Sequence, residues 1–145
     1  MLKEKIDENL KDAMRAKDAL AAETLRDLKS RIKNEEIAKH KDFADAEIED
    51  VIASEVKRRK DSVLAFTTGN RPELAAKEES EIAILMAYLP EQLSEVEVEK
   101  SIDAQLAGKN FTSADFGKAM GVVMPHLKGK TSGDVVSKIL KAKLR

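Results

Sequence analysis

Apolar residues recur along this chain at spacings of three and four, with polar and charged residues filling the positions between them. Leu2, Ile6, Leu10 and Ala13/Met14 form one such stripe and predict a helix over about residues 2–16. Asp18 is placed to cap a second helix, over about residues 19–40, whose stripe is Leu25, Leu28, Ile32 and Ile37. The polar stretch KHKDFAD ends it. Asp45 reads as the N-cap of a third and longest helix, with Ile48, Ile52 and Val56 in step, running through Val63 and Phe66 to a stop at Gly69. Pro72 suits the first turn of a fourth, which carries Leu74, Ala75, Ile82, Leu85 and Leu89 until Pro90 prevents continuation.

Beyond Pro90 the pattern restarts in shorter pieces. Ser94 and Glu97 form a capping box that opens a helix with Val98, Ile102 and Leu106 and stops near Gly108. Thr112 and Asp115 weakly repeat the device ahead of Phe116, Met120 and Val123, and Pro125 falls near the end of that helix. The Ser132/Asp134 region starts the last helix, with Val135, Val136, Ile139, Leu140 and Leu144. No segment shows sustained β alternation. The expected fold is all-α: a domain of about four helices over residues 1–90 and a small three-helix domain over residues 91–145.

Composition changes this picture in two ways. Of the 145 residues, 37% are charged and only 3% aromatic, a mixture suited to long helices laced with surface charge. The charge is also uneven: residues 1–90 hold 17 Lys+Arg against 20 Asp+Glu, whereas residues 108–145 hold 8 against 2. The chain has no cysteine, which excludes disulfides, a thiolate nucleophile and cysteine-ligated metals. No apolar run approaches the roughly 20 residues that span a bilayer, and charge begins at the third residue, so the expectation is a soluble cytoplasmic protein that does not engage a membrane.

Three stretches together carry a family resemblance: LRDLKSRIKNEEI in the second helix, EVKRRKDSVLAFTTGNRPELAAKEESEIAILMAYLPEQLSEVEVE across the boundary, and FGKAMGVVMPHLKGKTSGDVVSKILKAKL at the end. The G-x-R, K-E-x-x-E-I and Y-L-P-x-Q-L signatures of the central stretch are the most specific. The chain resembles the YqeY-like proteins, whose domain recurs as the C-terminal tail of the GatB subunit of the tRNA-dependent amidotransferase. The resemblance implies an all-helical N-terminal domain, a small C-terminal three-helix domain, and tRNA or another structured RNA as partner, with an amidotransferase or translation-related protein as a further partner. It implies no reaction for this chain. A label of carbon–nitrogen ligase activity with glutamine as amido-N-donor describes the amidotransferase complex, and a helper of that activity or a protein–protein adaptor is the alternative reading.

The residues themselves favour binding over catalysis. Lys128-Gly129-Lys130 precedes the last helix, which adds Lys138, Lys141, Lys143 and Arg145. The missing side chain of Gly129 lets backbone N–H groups approach a phosphate, and the helix N-terminus contributes partial positive charge. The bland reading is a flexible soluble loop followed by lysines that complement the helix dipole. The resemblance tips the balance, so Lys128, Gly129, Lys130, Lys138 and Lys141 are the RNA-binding candidates. GKTS is no Walker A loop, because Met124 stands where its first glycine is needed.

A second basic block, Lys57-Arg58-Arg59-Lys60, interrupts the apolar seam of the third helix, since Arg59 and Lys60 lie three and four residues after Val56. Snorkelling or pairing with acidic neighbours is the bland account. A second phosphate or partner contact through Arg58, Arg59, Lys60 and Arg71 is the functional one. Glu78, Glu79 and Glu81 do not share one face and read as a solvated or salt-bridged surface, and Glu36 with His40 makes at most a surface ion pair. His126 follows Pro125 at a helix end, where bonding to backbone is the simpler role. With no nucleophile elbow and no G-x-G-x-x-G, no catalytic residue, metal or cofactor is assigned.

Overall fold

The structure, a computed structural model, describes residues 1–144; Arg145, counted above with the basic end, lies outside the described residues. The chain is all-α, as its periodicity predicts. Among the described residues the helices are α1 (Leu2–Arg15), α2 (Ala19–Lys39), α3 (Asp45–Thr68), α4 (Pro72–Met86), α5 (Glu95–Leu106), α6 (Phe116–Leu127) and α7 (Gly133–Lys143), with a 3-10 turn at Ser113–Asp115. None is long and apolar enough to cross a membrane. The chain divides into two compact units, Met1–Leu89 and Pro90–Arg145.

In the first unit α1 packs on α2 and α3 packs on α4. Ile6 and Leu10 of α1, Leu25, Leu28 and Ile32 of α2, Ile48, Ile52 and Val56 of α3, and Leu85 of α4 form one buried core, closed by Phe43 and Tyr88. The Tyr88 hydroxyl accepts a hydrogen bond from Asn9 at 2.7 Å, so the buried ring keeps its polar end satisfied. Asp18 caps α2 by accepting from the Ala21 N–H at 3.1 Å.

Two local expectations are corrected. Ile37 is 60% exposed, and the buried position after Ile32 belongs to Glu36. The arithmetic of the helix explains this, because four residues beyond Ile32 returns to the same face and five does not. Glu36 can be buried because its carboxylate accepts from the Phe43 N–H at 2.6 Å and from the Lys3 ammonium. It thereby ties the α2–α3 connection and the start of α1 to one side chain, which also removes it from a surface pairing with His40. Asp45, expected as the N-cap of α3, lies one residue inside the helix; Ala44 holds the cap position, its N–H donating to Glu47 at 3.1 Å, while the Asp45 carboxylate accepts from the Leu2 N–H at 3.0 Å. α3 ends at Thr68 with Gly69 as its C-cap, the stop the sequence predicts, and the left-handed residue Asn70, φ 57°, follows. Gly69 is favoured on space, since a Cβ there would sit 3.2 Å from the Ala65 carbonyl oxygen.

The second unit buries Val98 and Ile102 of α5, Ala119, Val123 and Leu127 of α6, and Val136, Leu140 and Leu144 from the α7 end. Its capping box forms as expected, with the Glu97 N–H donating to Ser94 Oγ at 3.2 Å and the Ser94 N–H to Glu97 at 3.0 Å. Thr112 and Asp115 reproduce the backbone half of the device, the Thr112 N–H donating to Asp115 at 3.0 Å.

Each unit can be tested separately. In the first, the Lys3 ammonium, and after it the Phe43 N–H, holds the Glu36 carboxyl below the usual carboxylate range. A carboxylate depressed on folding stabilises the protein above its unfolded pKa of about 4.3, and that stability is lost as the pH falls through the lower folded value. Glu36→Gln is expected to lower the thermal midpoint at pH 7, and the gap to the parent should shrink below about pH 4; a gap that stays constant would show that charge is not what holds this connection. In the second, a fragment of residues 91–145 is expected to give a helical far-UV circular dichroism spectrum and a cooperative, low-temperature melt, because its apolar cluster is drawn from its own three helices but is small. A disordered spectrum would mean that this cluster does not suffice alone.

Candidate nucleic-acid interface

The lysine turn is a type II β-turn. Lys128 has φ −57° and ψ 128°, Gly129 has φ 79°, and the Lys130 N–H donates to the Leu127 carbonyl at 3.0 Å. The third position of such a turn needs positive φ, which is why glycine stands there. Lys128 and Thr131 pair as an isolated bridge. Both lysines are exposed and Gly129 is half-buried.

The turn is also held from outside itself. The Gln92 side-chain amide donates to the Gly129 carbonyl at 2.7 Å and to the Pro90 carbonyl at 2.8 Å. The Leu93 N–H donates to the Lys130 carbonyl at 2.8 Å. The Pro90 ring lies 3.6 Å from where a Gly129 Cβ would be. The turn is thus hydrogen-bonded to the segment that opens this unit. The motif Y-L-P-x-Q-L contains these residues, but read as sequence it marks only a helix boundary.

After the turn, Ser132 Oγ accepts from the Val135 N–H at 3.3 Å and caps α7. Val136 and Leu140 are buried, with Val135 and Ile139 packed partly against the same core, so Lys138 and Lys141 stay exposed one turn apart. Lys141 lies over the Phe116 ring, 5.6 Å from its centroid. Lys143 is different. It is tied to Asp103 at 2.8 Å and Glu99 at 3.1 Å on α5, and these bonds, Asp103 first, raise its pKa. It fastens α7 to α5 and does not extend the basic face.

The second basic set divides between two roles. Arg59 is only 9% exposed, and its guanidinium meets Glu81 at 2.5 Å, Glu78 at 3.6 Å and Glu55 at 3.8 Å. Glu55 is held in turn by Arg58 at 2.7 Å and by Arg31 of α2 at 3.6 Å. Burial pushes the Glu81 carboxyl up, against the pull of Arg59. Arg59 is thus spent on an internal ionic layer between α3 and α4, the pairing with acidic neighbours that the sequence allowed, and it does not present its charge outward. Arg58, Lys60 and Arg71 are exposed. They belong to the first unit, whereas Lys128, Lys130, Lys138 and Lys141 belong to the second. Glu79 and His126 are exposed.

A family model described as Yqey-like protein matches residues 3–144. Among curated proteins, the chain is 44% identical over 100 residues to "Altered inheritance of mitochondria protein 41, mitochondrial" of Lachancea thermotolerans, covering 68% of this chain and 52% of that protein. The protein of the same name from Candida glabrata is 31% identical over 136 residues, 92% of this chain and 72% of the relative. That from Saccharomyces cerevisiae is 36% identical over 98 residues, 65% and 52%. The chain spans about half the length of most of these relatives. Their mitochondrial names overturn the cytoplasmic expectation. Its premises were charge beginning at the third residue and the lack of a long apolar run, and neither of these distinguishes one aqueous compartment from another.

The ionic layer is open to direct test. Arg59→Met removes one partner and leaves three carboxylates without it, so a loss of about 3–5 kcal/mol in denaturant unfolding at pH 7.5 is expected. Carboxylates stranded in this way take up protons more readily when folded than when unfolded, and the deficit should therefore narrow as the pH falls towards 5. A variant within about 0.5 kcal/mol of the parent at pH 7.5 would show that the layer is dispensable.

Proposed function

The chain belongs to the YqeY-like family, and on that premise we propose that it is a noncatalytic helical module that docks on structured RNA, tRNA first, through the basic face of its C-terminal unit. The observation that carries this reading is the hydrogen-bonded lysine turn beside the exposed face of α7. Lys128 and Lys130 precede the positive end of α7 while Lys138 and Lys141 lie along it, an arrangement that suits a phosphate backbone. The resemblance to the tail of an amidotransferase subunit supports tRNA over other anions.

Binding of this kind reads shape and charge. Phe111 and Phe116 pack partly against the second core, and Phe43 and Tyr88 are buried in the first, which leaves little aromatic surface on which bases could stack. Phosphate contact then supplies most of the affinity, and binding is steeply salt-dependent. Because the relatives carry mitochondrial names, the RNAs to be compared include mitochondrial tRNAs.

Changing Lys128 and Lys130 together to glutamine is expected to leave stability within roughly 0.5 kcal/mol, as exposed substitutions do. It should weaken tRNA binding and lower the slope of log affinity against log salt by roughly 0.7–0.9 for each phosphate that is no longer neutralised. Filter binding or fluorescence anisotropy over a salt series measures both. Equal affinity of parent and double variant at every salt concentration would reduce the turn to a soluble loop.

A further inference from the structure

We infer that Gln92 is a positioning residue for the lysine turn: it holds the turn from the segment that opens the second unit, so that Lys128 and Lys130 are presented in one preformed arrangement. The inference rests on the RNA-docking reading for its ligand, and on geometry for its mechanism. A type II turn closed by a single internal bond, Lys130 N–H to Leu127 carbonyl, exposes its remaining carbonyl oxygens, and such an oxygen facing outward repels a phosphate. Here two of them are engaged from one side. The Gly129 carbonyl accepts from the Gln92 amide at 2.7 Å, and the Lys130 carbonyl accepts from the Leu93 N–H at 2.8 Å.

Gln92 is exposed and contributes nothing to either apolar cluster, so packing does not account for its placement. Its second bond, to the Pro90 carbonyl at 2.8 Å, fixes the side chain against its own backbone and aims the amide at a residue 37 positions away. An amide oriented by one bond loses less freedom in making the next. The same logic applies to the ligand: a turn already ordered forfeits less conformational entropy when it grips a phosphate, and affinity rises without any added bond.

Three proteins decide the matter: the parent, Gln92→Ala, and Gln92→Asn, which keeps the amide but shortens its reach by one methylene. Backbone 15N heteronuclear NOEs of residues 128–131 report the order of the turn, and total tRNA titrated over a salt series reports binding. Both variants are expected to melt with the parent, to show reduced NOEs confined to the turn, and to bind tRNA about threefold to tenfold more weakly, the range of one net hydrogen bond. Their salt slope should match the parent's, because the same phosphates are engaged; removing the lysines lowers the slope instead. Unchanged NOEs in Gln92→Ala overturn the inference, and so do reduced NOEs with undiminished tRNA affinity. A parent that binds no tRNA refutes the docking reading, and the NOEs alone then decide whether Gln92 positions the turn.

Discussion

The contact on which the first unit depends is the Arg59 guanidinium on the Glu81 carboxylate, 2.5 Å apart and almost wholly removed from water. Below it, towards Ile48, Ile52 and Val56, α3 is covered by an apolar core shared with α1, α2 and α4. Above it α3 carries only half-buried Val63 and Phe66, and Ala75 is the buried residue α4 supplies there. A purely apolar seam of this kind would tolerate sliding of one helix past the other. A buried ion pair does not, because a slip by one turn strands both charges at a cost larger than the packing it disturbs. The layer therefore opposes a slip of α3 along α4, and Glu55, braced by Arg31 and Arg58, connects it to α2.

The same constraint explains what could be read from the sequence and what could not. Helix order, the Ser94/Glu97 box, the Asp18 cap and the Pro72 and Pro90 boundaries depend on neighbours within four residues, and local chemistry names them. Glu36 and Glu81 do not. Each occupies a core position by periodicity but carries a charge, and what permits burial is a partner on another helix, Lys3 in one case and Arg59 in the other. Substituting the nearest apolar residue, Ile37, for Glu36 in the stripe follows naturally from scoring hydrophobicity alone. Asp45 sits one residue inside α3, and its carboxylate accepts from the Leu2 N–H, a long-range contact that no local rule shows.

The basic residues divide by the same rule. Arg59 and Lys143 look no different in sequence from Lys60 and Lys141, yet the first two meet carboxylates across a helix interface and the others remain exposed. Positive charge was legible as a bias of residues 108–145; which cations remain for a partner was not, because that depends on where Glu99 and Asp103 fall on α5. Gln92 is the extreme case. Nothing local marks it as part of the lysine turn, and only folding brings it to Gly129.

If the proposed RNA docking holds, a surface that offers lysines and few aromatic rings has limited means of discrimination. An ammonium is a point charge that accepts many phosphate geometries, unlike the bidentate guanidinium. Selectivity must then come from the fixed spacing between charges, and spacing is fixed only where the backbone carrying them is. On α7 the helix supplies that rigidity for Lys138 and Lys141. In the preceding turn no helix does, and on the docking reading the bonds from Gln92 and Leu93 would take its place, coupling the two halves of the basic face through the Pro90–Leu93 segment.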